Sequence, residues 1–148
     1  MVNTQSPRAR RALVTLRYDR AACGRTDPHR LTVFVKGRVD PDRTVAREDL
    51  ADIVTKDSVA AQLAPLGRDA QFDELRLLGD PVAIASSIPD DLVDLLAAAG
   101  TPEQVIASLS RVEDAGVDAI AFVPVGPHPD EQLHLLATEV APALRRLG

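Results

Sequence analysis

The sequence predicts an α/β fold built on parallel strands. Amphipathic helical stretches alternate with two short β-branched runs, and glycine and proline mark the junctions between them. The resulting order is helix, strand, helix, a looser helical stretch, two helices, strand and helix, an alternation that suits a parallel sheet better than a bundle or a sandwich.

The first periodic stretch runs from about Arg8 to Cys23, with Ala9, Ala12, Leu13 and Leu16 at helical spacing and Gly24 placed to end it in a left-handed cap. A turn over 24–29 leads into 31–39, a β-branched run that reads as a strand. Alternation puts Leu31, Val33 and Val35 on one face and Thr32, Phe34, Lys36 and Arg38 on the other, so the second face grows polar towards its carboxyl end. Asp40-Pro41 supplies an N-cap and a first-turn proline for a helix over 44–56, carrying Val45, Leu50, Ile53 and Val54. Between about 57 and 87 the pattern loosens into short helical pieces, which suggests an insertion.

Order returns at 88–100, a helix with proline near its start, acidic residues in its first turn and Gly100 just past its end. Thr101-Pro102-Glu103-Gln104 has the form of a capping box and opens a further helix striped by Val105, Ile106, Leu109 and Val112. After Gly116, residues 117–124 read as a buried strand. The last helix, about 130–147, carries Leu133, Leu136, Val140, Leu144 and Leu147 along one face. Only two strands are identifiable, and two parallel strands can neither cover both their faces nor hide their edges.

Composition narrows the function classes. The chain has 148 residues, 45% hydrophobic and 26% charged, enough for one domain (1–148) with a core. With 17 Lys+Arg against 22 Asp+Glu the net charge is -5, so no overall positive field exists to hold a nucleic acid backbone. Aromatics are 3% of the chain, too few for a base-stacking platform. The lone Cys23 can close no intrachain disulfide, and no apolar run approaches the roughly 18 residues of a membrane span; both point to a cytoplasmic protein.

A family resemblance emerges from four stretches: Ser87-Ile88-Pro89-Asp90-Asp91-Leu92-Val93 through Ala99-Gly100-Thr101-Pro102-Glu103-Gln104-Val105, then Ala115-Gly116-Val117-Asp118, then Gly126-Pro127, then Glu139-Val140-Ala141-Pro142-Ala143-Leu144-Arg145. Together they resemble the C-terminal end of the luciferase-like monooxygenases, in particular the deazaflavin branch that includes the methylenetetrahydromethanopterin reductase and glucose-6-phosphate dehydrogenase types using coenzyme F420. Residues 21–28 ahead of Leu31-Thr32-Val33 look like that family's sixth helix running into its seventh strand.

The resemblance implies a (β/α)8 TIM barrel, which in full takes about 250 residues. It assigns this chain a partial barrel: strands seven and eight, their helices and a helical insertion. The strands that carry most of the cofactor pocket, the acid/base groups and the phosphate loop in the family have no counterpart here. An intact relative would transfer hydride between F420, or FMN, and a small organic substrate. The alternative is a non-catalytic remnant or assembly module that dimerises through its sheet edges or docks on a separate N-terminal barrel part.

No G-x-G-x-x-G, Walker, G-x-S-x-G or H-E-x-x-H motif is present. Four residues remain as candidates for cofactor contact. Lys36 and Arg38, near the carboxyl end of strand seven, would face a phosphate or the acidic tail of a deazaflavin, or else serve as edge charges against aggregation. Gly126 and His128 follow strand eight, at the barrel end where such enzymes keep their sites; a plain turn and a solvated histidine are the simpler readings. Asp94, Leu95 and Leu96 stand where some deazaflavin enzymes place a phosphate-binding arginine. Asp118 sits at the opposite, stabilising end of its strand, and Asp90, Asp91 and Asp94 read as helix-dipole complement, with no catalytic or metal-ligating residue assigned.

Overall fold

The computed structural model describes Gly24 and residues 31–147. The helix expected over 8–23 lies outside the described residues, while Gly24 itself has φ +69°, the left-handed conformation expected of it.

Strand β1 spans Thr32–Val39. Helix α1 follows at Arg43–Val54, then α2 at Asp57–Leu63, a 3-10 turn at Ala64–Leu66, α3 at Asp69–Leu78, α4 at Pro81–Ser87 and α5 at Asp90–Leu96. A short strand β2, Ala98–Gly100, leads to α6 at Pro102–Asp114 and β3 at Ala119–Pro124. The chain then runs through α7 at Pro129–Leu135, a π-helical turn at Leu136–Val140 and α8 at Ala141–Leu147.

The sheet is parallel throughout, in the order β2-β1-β3. The two expected strands are neighbours as anticipated, but a third lies on the other side of β1. Residues 98–100 read as the end of a helix because alanine favours helix and no β-branched side chain marks the run. Ala97, with φ -157° and ψ 164°, turns the backbone into extended form, and the register Gly37↔Ala98, Arg38↔Ala99, Val39↔Gly100 fixes it there.

Gly37 makes this junction possible. A Cβ at that position would lie 2.2 Å from the Phe122 ring and 2.6 Å from the Ala98 carbonyl oxygen, so β2 and the Phe122 side chain close on bare backbone.

Two apolar clusters divide the molecule. One lies between the sheet and the C-terminal helices, joining Val33, Val35 and Val39 of β1 to Val105, Leu109 and Val112 of α6 and to Val140. The other gathers Leu50, Ile53 and Val54 of α1 with Leu63, Phe72, Leu75, Ile84, Ile88 and Leu92. The loosely patterned 57–87 segment therefore supplies a helical core of its own, packed chiefly on α1. Its short helices carry too few turns for a periodicity to show, while their caps do show: Asp80 accepts from the Ala83 N–H at 3.0 Å.

Several local signals hold and two shift. Thr101 and Gln104 form the capping box in both directions. The Glu103 carboxyl beside them is held below its ordinary range by its own backbone N–H and by the Thr101 hydroxyl. The cap of α1 is Asp42, which accepts from the Thr44 N–H at 2.8 Å, while Asp40 lies two residues earlier and accepts from the Asp42 N–H. In the last helix the stripe slips: Leu133 is 43% exposed and Gln132 is fully buried. The π-turn at 136–140 inserts an extra residue per turn, so the two halves cannot share one 3.6-residue stripe.

Candidate functional site

Sheet alternation and helix placement together leave one face of β1 uneven. Val33 and Val35 are covered, whereas Thr32 and Phe34 on the other face are exposed, Phe34 by 58%, with Val123 beside them. Lys36 is half-buried on that same side. Register pairs Phe34 with Ala121 and Lys36 with Val123, so the bare strip spans both strands.

Towards the carboxyl end the strip is closed by α1. Arg38 is 7% exposed and each of its guanidinium nitrogens has a partner: Nε donates to Asp49 Oδ2 at 2.5 Å, Nη2 to Asp40 Oδ2 at 3.0 Å and Nη1 to its neighbour's carbonyl, Val39 O, at 3.4 Å. Two carboxylates thus share one cation, an arrangement that locks the end of β1 to α1. Nothing in the sequence pattern singled out Asp49, which sits eleven positions away on the next helix.

Gly126 reaches the same cluster from β3. Its φ is +82°, and a Cβ there would come within 2.6 Å of the Asp49 carboxyl, so the β3 exit loop rests directly on the partner of Arg38. His128 is exposed and adopts φ 56°, ψ 56°, the left-handed region in a residue with a Cβ. Replacing it removes that steric cost, so His128→Gly is expected to raise the unfolding free energy by about 0.5–1 kcal/mol, read as a higher urea midpoint at unchanged slope. A lower midpoint would mean that the imidazole holds the loop.

Gln132 is the second residue that the pattern missed. It carries the loop from inside, donating Nε2 to Val125 O at 2.6 Å and to Pro127 O at 3.2 Å, and its Oε1 is buried without a hydrogen-bond partner. Beside it a cleft of about 560 Å³ opens between the end of β1 and α7, lined among others by Arg38, Asp40, Asp130 and Glu131. The structure thus brings Arg38 and Gly126 together through Asp49, leaves His128 exposed on the loop between β3 and α7 and keeps Lys36 apart on the bare strip.

The remaining candidates have structural surroundings. Asp118 accepts from the Leu31 N–H at 2.7 Å, tying the start of β1 to β3. Asp90 pairs with Arg43 and Arg47, Asp91 with Arg68 and Asp94 with Arg111, so the acidic cluster knits α5 to its neighbours. Arg47, desolvated and facing Arg43, has its pKa lowered and donates to the Ile88 carbonyl at 3.0 Å. No helix among the described residues is long and apolar enough to cross a membrane.

Comparison with known proteins places this arrangement. A structure of the coenzyme F420-dependent tetrahydromethanopterin reductase of Methanopyrus kandleri superposes with a TM-score of 0.58 at 22% identity, covering 78% of this chain and 35% of that one. At that identity the likeness concerns fold: the parallel sheet and its helices match part of a TIM-barrel-like fold. The 5,10-methylenetetrahydromethanopterin reductase of Archaeoglobus fulgidus is 32% identical over 68 residues, 45% of this chain. The aligned stretch makes up 20% of that reductase, so the chain corresponds to only a minor share of either relative's length. The model of the luciferase-like monooxygenase family matches residues 1–119, well over half of the chain, and the protein belongs to that family of oxidoreductases.

Proposed function

We propose that this chain forms part of the barrel wall of an F420-dependent oxidoreductase, and that hydride transfer to or from a small organic substrate takes place on a surface to which it contributes Thr32, Phe34 and Lys36. The observation that carries this reading is the bare strip itself. A sheet that buries one face under helices and leaves Phe34 58% exposed on the other lacks a partner for that face among the described residues, and in a closed barrel the same face is interior. The coenzyme F420 dependence of the Methanopyrus kandleri reductase favours F420 over FMN.

The described residues do not fit a phosphate-bearing deazaflavin by themselves. Arg38 already serves two carboxylates, and Asp130 and Glu131 in the adjoining cleft carry the same sign of charge as the cofactor's acidic groups. Lys36 is the candidate cation on the bare strip, and Gly126 and His128 belong to the loop that follows β3. The cofactor's phosphate is therefore held by other parts of the barrel. The missing cover is a separate N-terminal barrel part or a second copy of this chain, and the setting is cytoplasmic.

The test is a fluorescence titration of F420 with the purified chain, run beside sedimentation at several protein concentrations. No saturable quenching, with a mass that grows with concentration, is expected. Saturable quenching by a monomer would overturn the proposal and make the chain a cofactor-binding protein in its own right. The same bare strip supports a second reading, a non-catalytic assembly module. A separately expressed N-terminal barrel part that binds this chain yet acquires no cofactor quenching from it would favour that module.

A further inference from the structure

We infer that α7 and the π-turn behind it form a two-register element, in which rotation of α7 by one residue exchanges Gln132 for Leu133 at the core and releases the loop after β3. The starting point is a mismatch of burial. Gln132 is 0% exposed and its Oε1 is buried without a hydrogen-bond partner, while its neighbour Leu133 is 43% exposed. A polar atom left unpaired inside and a leucine left outside both cost free energy, so other contacts hold this arrangement.

Two features hold it. The Gln132 amide donates to Val125 O and Pro127 O of the loop. Behind it the π-turn at Leu136–Val140 changes the pitch: the Ala141 N–H reaches back to Leu136 O, and the Leu136 N–H is divided between Gln132 O and Leu133 O. At about 100° per residue, an unbroken α-helix would set Leu133 about 20° from Val140 and Gln132 about 80° away. The π-turn takes up one residue, which brings Gln132 to about 20° and sends Leu133 about 120° away. The unbroken helix is therefore a second packing. Leu133 then takes the inward position in line with Leu136 and Val140 of the core around β1 and α6, Gln132 reaches water, and Val125 O and Pro127 O lose their donor. Each register satisfies groups that the other leaves wanting, which is the condition for a bistable element.

The loop supplies the joint. Rotating α7 changes the backbone at its entrance, where His128 has φ 56° and Gly126 φ +82°. Gly126 lies against Asp49, the partner of Arg38, so the register of the C-terminal helix bears on the carboxyl end of the sheet. This inference concerns the chain's own residues and does not depend on the proposed oxidoreductase role.

Native-state hydrogen exchange of the full chain, followed residue by residue below the urea transition, tests it. The Val125 N–H, bonded to Gly37 O at 2.9 Å, and the N–H groups of Gln132 and Leu136 are expected to share one opening that is insensitive to urea, since little net surface is exposed. Those of Leu109 and Val112 in α6 are expected to exchange only by global unfolding. Leu133→Gln removes the apolar side chain that the second register buries, and the three amides are expected to exchange at least tenfold more slowly in it. Leu77→Gln, at the 86% exposed leucine of α3, is expected to leave them unchanged. Simple fraying of α7 requires equal or faster exchange in Leu133→Gln, and that result overturns the proposal. So do separate openings for Val125 and Leu136, or exchange of α7 only through global unfolding in the unaltered chain.

Discussion

Phe72→Ala is expected to lower the unfolding free energy by about 3–5 kcal/mol, the range for emptying a buried aromatic site. Phe72 is 0% exposed in the cluster that joins α1 to the four helices after it, and the Arg76 guanidinium lies 5.5 Å from its ring centroid. Neighbours drawn from several short helices cannot all move inward together, so the void stays open. Leu77→Ala in the same helix is the control: that side chain is 86% exposed, and the change is expected to stay within about 0.5 kcal/mol. Urea unfolding followed by circular dichroism separates the two, and equal midpoints would show that the 57–87 helices contribute no core.

Arg38→Met is expected to cost about 2–3 kcal/mol. Removing the cation leaves Asp40 and Asp49 facing one another, and their side chains are 20% and 19% exposed, which puts the penalty at or below the lower end for a buried pair. Asp49→Asn in the same chain is expected to recover part of the loss, because one carboxylate no longer lacks its partner. The variant also separates two roles for Arg38. As a lock between β1 and α1 its loss shows in stability; as a phosphate ligand its loss would show in cofactor affinity with the urea midpoint unmoved.

These two residues show why the helical layer and the site were only partly legible. The 57–87 helices announce themselves by proline and glycine boundaries, but Phe72 becomes a core residue only when α1, α2 and α4 pack on its helix. Arg38 was visible as a polar residue at the end of a strand. Its partners were not, since Asp49 reads as one of several acidic residues on an exposed helical face until α1 folds across β1. Strand β2 was hidden for a related reason: Ala98, Ala99 and Gly100 have no preference for extended form, and their pairing with Gly37, Arg38 and Val39 is what makes them a strand.

Legible in the amino-acid sequence were the parallel α/β class, the strands read at 31–39 and 117–124 and found at 32–39 and 119–124, the Thr101–Gln104 capping box and the family. Each rests on neighbours within a few positions or on a contiguous motif. The third strand, the sharing of Arg38 by two aspartates, the burial of Gln132 ahead of the π-turn and the bare strip around Phe34 were settled only by tertiary contacts. Those features depend on which distant segments close over a residue. Periodicity records how often an apolar side chain recurs, but it carries no information on whether a surface finds its cover.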